Sequence, residues 1–232
     1  MKYFDFSMFK DKHKNERCFV ILTGPSLTLE DINMLKNETT FAVNSCIKLF
    51  SKTTWRPSYY VITDRLVYKS IGKELENSDM SCPIFYSRNG LRTEIKKENS
   101  LPFKSLYFHH FLNFLTNGKS TLGWSNDISR GIADAPSCVY AVMQIAYYMG
   151  FKDIYVIGAD CNYSLENQHS TVVNYTPKVK ISKNAGLHVL KAWRSIEKHL
   201  DKKDMNVYNA TRGGMLELFP RVKLEDILKE DQ

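Results

Sequence analysis

The stretch Cys18–Leu27 constrains the fold more than any other part of the chain. It begins with the unbroken apolar run Cys-Phe-Val-Ile-Leu and continues with Thr-Gly-Pro-Ser before Leu27. A short apolar run that ends at Gly and Pro is typical of a strand buried on both faces. Such strands belong to parallel sheets that are covered by helices. Apolar residues at 29, 32 and 35 then predict a helix, which Ser26 or Thr28 would cap.

Strands and helices continue to alternate along the rest of the chain. Further predicted strands cover 40–44, 59–63, 83–86, 105–109, 152–158 and 205–208. Predicted helices cover 65–76, 137–150, 185–200 and 224–228. This alternation favours a parallel sheet with right-handed crossovers. We therefore predict an α/β fold, a single Rossmann-like domain with a mostly parallel sheet and helices on both faces.

We expect this one domain to span residues 1–232. Residues 1–17 form a polar lead-in, and the segments 87–131 and 164–183 lack a clear hydrophobic period. Long segments without such a period are commonly lids or irregular loops. We therefore interpret 87–131 and 164–183 as loop or lid insertions near a functional site.

The cysteines, the apolar runs and the net charge indicate the compartment in which we expect the protein. The five Cys have neither metal-ligand spacing nor a disulfide framework, which favours free thiols in a reducing compartment. No apolar run approaches membrane-spanning length, and the first residues lack a signal-peptide core. We expect a cytoplasmic protein. Its net charge of +7 would suit peripheral contact with the cytoplasmic face of the inner membrane. No nucleic-acid-binding motif is present, so we expect no nucleic-acid partner, and a homo-oligomer stays open.

Polar residues repeatedly follow the predicted strands. They are Thr23, Asn44, Thr63, Asp64, Arg65, Asp160, Cys161, Asn162, Tyr163, Asn209, Thr211 and Arg212. Gly24, Pro25 and Ser26 complete the turn that begins at Thr23. In an open parallel sheet the carboxyl ends of the strands share one edge, where ligands bind. Each residue alone is equally well explained as a turn former, but the set predicts a site for a sugar, a base and a phosphate. The Thr23–Ser26 turn is either an anion site or only a turn with a helix cap.

Several common catalytic patterns are missing from the sequence. There is no G-x-G-x-x-G, no G-x-x-x-x-G-K-[ST] loop and no G-x-S-x-G elbow. The six His have no zincin spacing, and we expect no metal site. His169 lies in the polar segment after Asp160, where a loop His is either a general base or a solvated residue.

Three segments together resemble the MptE-like family, which is named for an archaeal 6-hydroxymethylpterin diphosphokinase. They are Ile21–Leu27, the helix-strand unit Ser137–Asp160 and the tail Tyr208–Val222. Bacterial members of that family commonly accompany surface-glycan and flagellin-glycosylation systems. The first two segments also resemble small bacterial sialyltransferases that use CMP-sialic acid, where a Gly-Asn-Gly-Pro-Ser turn and a helix-strand unit occur in the same order.

The resemblance to the sialyltransferases implies roles for individual residues. There, the first turn and the Asn after the second strand contact the cytidine nucleotide, and the matching residues here are Gly24, Pro25, Ser26 and Asn44. Ser137 and Cys138 match the start of the helix that approaches the donor. Asp160 matches an acidic residue after a late strand, and Asp64 falls where an Asn follows the third strand. Thr23 replaces the Asn of the first turn, and Asn162 and Tyr163 surround the position of a phosphate-binding Tyr.

Together these features predict a glycosyltransferase of bacterial surface-glycan assembly. An acidic, CMP-activated sugar would be transferred to a glycan acceptor by direct displacement, without an obligatory cofactor. His169 or Asp160 would deprotonate the acceptor, while the first turn with Arg212 or Tyr163 would stabilise the leaving phosphate. One alternative is pyrophosphoryl transfer from ATP, with Mg²⁺ held by Asp64 and Asp160. The other is a nucleotide-binding subunit without catalysis.

Overall fold

The computed structural model of the protein describes residues 4–107, 122–162, 173 and 185–229. Its strands, in chain order, are β1 Arg17–Ile21, β2 Thr40–Val43, β3 Tyr59–Ile62, β4 Ile84–Ser87, β5 Ser100–Phe103, β6 Ser105–Leu106, β7 Ile132–Ala133, β8 Asp153–Ile157 and β9 Asn206–Asn209. Seven of them form one sheet in the order β5-β4-β3-β2-β1-β8-β9, and every neighbouring pair is parallel. β6 and β7 pair separately, also in parallel.

Helices cover both faces of the large sheet. They are α1 Leu29–Met34, α2 Arg65–Asn77, α3 Arg88–Leu91, α4 Cys138–Tyr148, α5 Ala185–Leu200 and α6 Leu224–Ile227. On one face, Val20 and Val156 of the sheet share a core with α4 and α5. On the other face, Phe19 and Ile157 share a second core with α1, α2 and α6. The predicted α/β class, with a parallel sheet between two helical layers, is confirmed.

β1, the first turn and α1 form as the sequence pattern predicts. β1 is buried along its length apart from Arg17, because helices cover both faces of the sheet. α1 then begins at Leu29, and its cap is Thr28 rather than Ser26. The Thr28 hydroxyl accepts a hydrogen bond from Asp31 N at 3.1 Å, and Thr28 N donates to Asp31 Oδ2 at 3.2 Å. This reciprocal capping box satisfies two main-chain donors at the helix start.

The region 87–131 contains more regular structure than its sequence indicates. The edge strand β5 lies within this region, whose sequence predicts an irregular loop. Pro102 lies in β5, and proline is tolerated in a sheet mainly at an edge. The strand predicted over 105–109 is observed only as β6, which pairs with β7 outside the large sheet. Residues 108–121 and most of 164–183 lie outside the described residues.

The lead-in packs onto the sheet before β1 begins. Phe6 and Phe9 are buried and contact the ring of Phe85 on β4. Farther along, His13 Nε2 hydrogen-bonds the hydroxyl of Tyr59 at 2.7 Å, and the imidazole stacks on Phe151. The sequence before β1 therefore forms part of one core rather than a separate arm.

Because the seven strands are parallel, all their carboxyl ends lie at one edge of the sheet. The polar residues that follow β1, β2, β3, β8 and β9 are therefore at the same edge, as predicted from the chain pattern. Within the described part of the chain, no helix is both long enough and apolar enough to cross a membrane.

Candidate nucleotide-binding cleft

A cleft of about 150 Å³ opens at the carboxyl edge, above the neighbouring strands β2, β1 and β8. Four segments form most of its wall, and Val189 and Trp193 of α5 complete it. The four segments are the turn Leu22–Pro25, Val43 with Asn44, the start of α4 at Ser137–Val139, and the Gly158–Asn162 segment after β8. The sheet thus brings together residues that are far apart in the sequence, at the place where open α/β sheets bind ligands.

Asp160 ties the first turn to the end of β8. Its buried carboxylate accepts hydrogen bonds from Ser26, at 3.1 Å from N to Oδ1 and at 2.8 Å from Oγ to Oδ2. Ser26 N also lies 3.3 Å from Oδ2. Hydrogen bonds to an ionised carboxylate are stronger than neutral ones. Asp160 is therefore well placed to hold the turn in position.

A second main-chain donor of this turn, Gly24 N, and the N–H of Leu27 just after the turn are also engaged within the protein. Gly24 N donates to Gly158 O at 2.9 Å, and Leu27 N donates to Gly24 O at 3.2 Å. The anion that the turn binds is therefore the carboxylate of Asp160, 134 residues away in the sequence. This geometry favours the reading of Thr23–Ser26 as a turn with a cap.

Two glycines allow the ends of β1 and β8 to approach each other. A Cβ atom on Gly24 would lie 2.1 Å from Asp160 Oδ2 and 2.4 Å from Gly158 O. Gly158 has a φ of +67°, and a Cβ there would lie 2.4 Å from Leu22 O. The sequence pattern identifies Gly24 but not Gly158, because a glycine at the end of a strand is also an ordinary turn residue.

Asn44 presents an unsatisfied acceptor at the cleft wall. It follows β2 with a left-handed φ of 48°, and the hydroxyl of Tyr60 donates to its main-chain oxygen. Its side-chain Oδ1 is buried and has no hydrogen-bond partner in the described structure. Leaving a buried acceptor unsatisfied costs about 1–3 kcal/mol. A ligand that donates a hydrogen bond to Oδ1 would recover part of this free energy.

The N-terminus of α4 faces the same cleft through Ser137, Cys138 and Val139. Ser137 precedes the helix, and its side chain makes no capping hydrogen bond. The first N–H groups of a helix lack partners within it, and the helix dipole favours an anion there. The start of α4 therefore has the polarity of an anion-binding position.

Cys138 is a buried thiol rather than a nucleophile. Its Sγ donates to Val61 O at 3.4 Å. Burial raises the pKa of Cys138 to about 12, so the thiol stays protonated at neutral pH. Since the thiolate is the reactive form of cysteine, the position of Cys138 at the cleft points to packing and binding.

Three further predicted site residues, Asp64, Thr211 and Asn209, have structural partners. Asp64 caps α2 by accepting from Leu66 N at 2.6 Å and Val67 N at 3.1 Å. Thr211 Oγ1 accepts from Ala159 N at 3.0 Å, and Asn209 Nδ2 donates to Leu216 O at 2.7 Å. Asn209 and Thr211 thus support the segment that carries Asp160. The exposed Arg65 begins α2 and does not line the cleft.

Arg212 binds two carboxylates instead of facing the cleft. Its Nε lies 2.7 Å from Oδ1 of the buried Asp31, and its Nη2 pairs with Glu225. Hydrogen bonds to Glu225 and to Asp31 raise the pKa of Arg212. This arrangement joins α1 to α6 and favours a structural role for Arg212 over contact with a leaving phosphate.

Asp160 is the only charged residue among the described residues that line the cleft. The predicted residues Tyr163 and His169 lie outside the described residues. Among the residues that are described, no group of three or more His, Cys, Asp or Glu could hold a metal ion. Asp64 and Asp160 follow β3 and β8, three strand spacings or about 14 Å apart. That separation is too large for both carboxylates to bind one Mg²⁺.

An open parallel sheet with a ligand cleft at its carboxyl edge defines the Rossmann-like class of α/β proteins. The solved structure of the Maf glycosyltransferase from Magnetospirillum magneticum AMB-1 shares this fold. It aligns with 96% of this chain at a TM-score of 0.61 and 13% sequence identity. The chain spans 37% of the length of that protein, so the likeness concerns the fold of one part of it.

The chain belongs to the MptE-like family, because the sequence profile of that family, 6-hydroxymethylpterin diphosphokinase MptE-like, matches residues 2–166. The membership expected from the sequence is therefore confirmed. Two of the three segments that suggested it, Ile21–Leu27 and Ser137–Asp160, lie within the match. The tail Tyr208–Val222 lies beyond it.

Two further proteins are similar over most of this chain. A probable 3-deoxy-manno-octulosonic acid transferase from Escherichia coli strain K12 is 22% identical over 242 residues, covering 91% of this chain and 84% of its own length. A structure of the sialyltransferase Cst-II in complex with CMP aligns with 88% of this chain and 85% of its own. Its sequence identity is 18% and its TM-score is 0.49.

Proposed function

We propose that this protein is a glycosyltransferase whose donor, a CMP-activated acidic sugar, binds in the cleft above β2, β1 and β8. The observation that carries this proposal is the convergence of Asn44, Ser137 and Cys138 with the Thr23–Pro25 turn in one cleft. These are the positions that the sequence resemblance to the sialyltransferases assigns to the nucleotide. The name of the Escherichia coli relative, a transferase of an octulosonic acid, supports an acidic sugar.

In this proposal the two ends of the nucleotide bind different groups. The amide oxygen of Asn44 accepts a hydrogen bond from the exocyclic amino group of cytosine, which is a donor. The phosphate lies at the N-terminus of α4, beside Ser137, where main-chain N–H groups stabilise its charge. The cleft encloses less volume than the roughly 300–1,000 Å³ of pockets that bury whole ligands, so the described residues form only part of the donor site.

The proposed reaction is a direct displacement at the anomeric carbon. An acceptor hydroxyl forms the new C–O bond, the bond from the anomeric carbon to the phosphate oxygen breaks, and CMP leaves with the electron pair. The proton of the hydroxyl passes to a general base. Asp160 is a positioning residue here, because Ser26 donates to both of its oxygens. His169 remains the proposed base.

The proposed setting is surface-glycan assembly in the cytoplasm, with a glycan acceptor and contact with the inner membrane. The likeness in fold to the Maf glycosyltransferase supports glycosyl transfer as the class of reaction. The basic net charge of +7 supports approach to an anionic acceptor or an anionic membrane surface. No divalent metal ion is required in this scheme.

A nucleotide screen tests this function. We expect CMP to raise the melting temperature without Mg²⁺, while UDP, GDP and ATP at equal concentration have smaller effects. A ligand at 100 times its Kd stabilises the folded state by about 2.7 kcal/mol, which is measurable by differential scanning fluorimetry. Stabilisation by ATP only when Mg²⁺ is present would instead support pyrophosphoryl transfer. An unchanged melting temperature with every nucleotide would contradict both activities.

A further inference from the structure

A second and larger cavity lies farther along the same edge of the sheet. Its volume is about 650 Å³, which is within the range of ligand-binding pockets. Arg88 and Asn89 follow β4, and Lys104 follows β5, so these residues lie at the carboxyl ends of the two outermost strands on that side. Phe4 and Phe6 of the lead-in, with Ser129 and Arg130 before β7, also line it.

The charge of this cavity is opposite to that of the cleft. Arg88, Lys104 and Arg130 contribute three cations, and no carboxylate belongs to the described lining. Arg88 is paired with Glu94 at 2.9 Å. Asp127, near Arg130, accepts hydrogen bonds from the main chain and hydroxyl of Ser129 at 3.0 and 2.6 Å. Lys104 and Arg130 are exposed and form no ion pair within the described residues. The hydrogen bond from Ser129 and the charge of Arg130 both lower the pKa of Asp127, so this carboxylate offsets part of the Arg130 charge. With three cations and no carboxylate in its described lining, the cavity keeps a positive charge.

The rest of the lining is aromatic and apolar. Phe4 is 38% exposed, whereas Phe6 is buried and stacks on Phe85 in the core. Pro102, Phe103 and Ile128 complete this surface. Asn89 is held in place by two hydrogen bonds to the main chain of Ser105, at 2.9 and 2.8 Å. An apolar surface next to exposed cations suits a ligand that has both a ring face and an anionic group.

The cavity and the cleft are close enough for one substrate to occupy both. β3 lies between β2, which borders the cleft, and β4, which borders the cavity. Two strand spacings amount to about 10 Å. A chain of sugars could therefore place its terminal hydroxyl at the cleft while a sugar farther along the chain lies in the cavity.

We propose that this cavity binds the acceptor, an oligosaccharide whose carboxylate-bearing sugar contacts Lys104 and Arg130. The inference rests on the proposed glycosyl transfer and adds the chemical class of its acceptor. Sugar rings pack on Phe4 and Pro102, and the carboxylate pairs with the two cations. Since both cations are exposed, binding weakens as ionic strength rises.

Direct binding measurements test this assignment. A trimer of galacturonic acid is the probe, the neutral galactose trimer is its uncharged control, and both are titrated calorimetrically into the whole protein. We expect the acidic trimer to bind at least about tenfold more tightly than the neutral one, a difference of roughly 1.4 kcal/mol. The double variant Lys104→Glu/Arg130→Glu should lose this preference. Both side chains are exposed, so the variant is expected to fold.

The matched control carries the same change of charge at the opposite edge of the sheet. This control is Lys36→Glu/Lys229→Glu. Lys36 lies between α1 and the start of β2. Lys229 follows α6, which lies near the start of β1 because Ile227 O accepts a hydrogen bond from Arg17. This control should bind the acidic trimer like the native protein. Equal loss in both double variants would show a general effect of net charge and would overturn the assignment.

Two further titrations test whether the cavity instead binds phosphate or an anionic membrane surface. Inorganic phosphate and vesicles containing phosphatidylglycerol are titrated into the same proteins. If only phosphate or only vesicles bind through Lys104 and Arg130, the acceptor assignment is wrong. CMP binding is measured in parallel and should be equal in all variants. If the acidic trimer binds and CMP does not, the proposed donor is contradicted and the cavity assignment stands. If CMP binds and the acidic trimer does not, only the assignment of the cavity to the acceptor is contradicted.

Discussion

The variant Gly24→Ala is expected to lower the free energy of unfolding by about 3 kcal/mol, the upper part of the range for overpacked sites. The added methyl group would lie 2.1 Å from Asp160 Oδ2 and 2.4 Å from Gly158 O. Neither atom can move freely, because Ser26 holds the carboxylate and Gly24 N donates to that carbonyl. The turn must therefore separate from the end of β8, which also deforms the cleft. Urea unfolding followed by circular dichroism measures the loss.

Gly123→Ala is the matched control for this substitution. A Cβ at Gly123 would meet Ala133 Cβ at 3.8 Å, an ordinary van der Waals distance, and Gly123 does not line the cleft. We expect this variant to remain within about 1 kcal/mol of the native protein. If Gly24→Ala were equally mild and still bound CMP normally, the close approach of the first turn to Asp160 would be wrong.

The variant Asp160→Ala is expected to cost about 3 kcal/mol and to weaken CMP binding. It removes the acceptor for both the main-chain N–H and the hydroxyl of Ser26, and hydrogen bonds to charged groups contribute about 1.5–3 kcal/mol. Without Asp160, the turn that forms one wall of the cleft loses its side-chain hydrogen bonds to the segment after β8 and keeps only main-chain ones. The control is Asp201→Ala, an exposed carboxylate in the turn after α5.

A double-mutant cycle with Ser26→Ala separates this contact from other effects of the substitution. Residues in direct contact show coupling energies of about 0.5–3 kcal/mol, whereas distant residues are additive. We expect clear coupling between Ser26 and Asp160, and additivity between Ser26 and Asp201. If Ser26 and Asp160 proved additive, the carboxylate would not be the group that holds the turn. It would then again be available as the general base.

The parts of the fold that follow from local pattern could be predicted from the sequence. The apolar run of β1, the period of α2 and the nearly all-apolar α4 each carry a signal within a short window. The edge strand β5 carries none, because Pro102 and the polar residues before it resemble a loop. β5 forms through its pairing with β4 and the burial of Leu101 and Phe103, which no local window contains.

The roles within the site depended on contacts between distant residues. A polar residue at a strand end is visible in the sequence, so the cleft residues Asn44 and Asp160 could be named in advance. Ser137 lies at a helix start and was named from the resemblance to the sialyltransferases. The partner of each is not visible. Asp160 binds Ser26 across 134 positions and Arg212 binds Asp31 across 181 positions, so neither contact leaves a local signal. The pattern of the Thr23–Ser26 turn fits either an anion site or a turn with a helix cap, and only the structure shows that Ser26 donates to the carboxylate of Asp160.

The most direct test of the donor site is the affinity of CMP for the variant Asn44→Gly. Glycine tolerates the left-handed φ of 48° at this position, so the variant removes the amide without straining the main chain. Asn15→Gly is the control, because Asn15 has a φ of 65° and lies just before β1, at the opposite edge of the sheet. We predict that calorimetry without Mg²⁺ gives equal CMP affinity for native protein and Asn15→Gly, and about tenfold weaker affinity for Asn44→Gly. Equal affinity in all three proteins, or no binding of CMP to the native protein, would contradict a nucleotide site in this cleft.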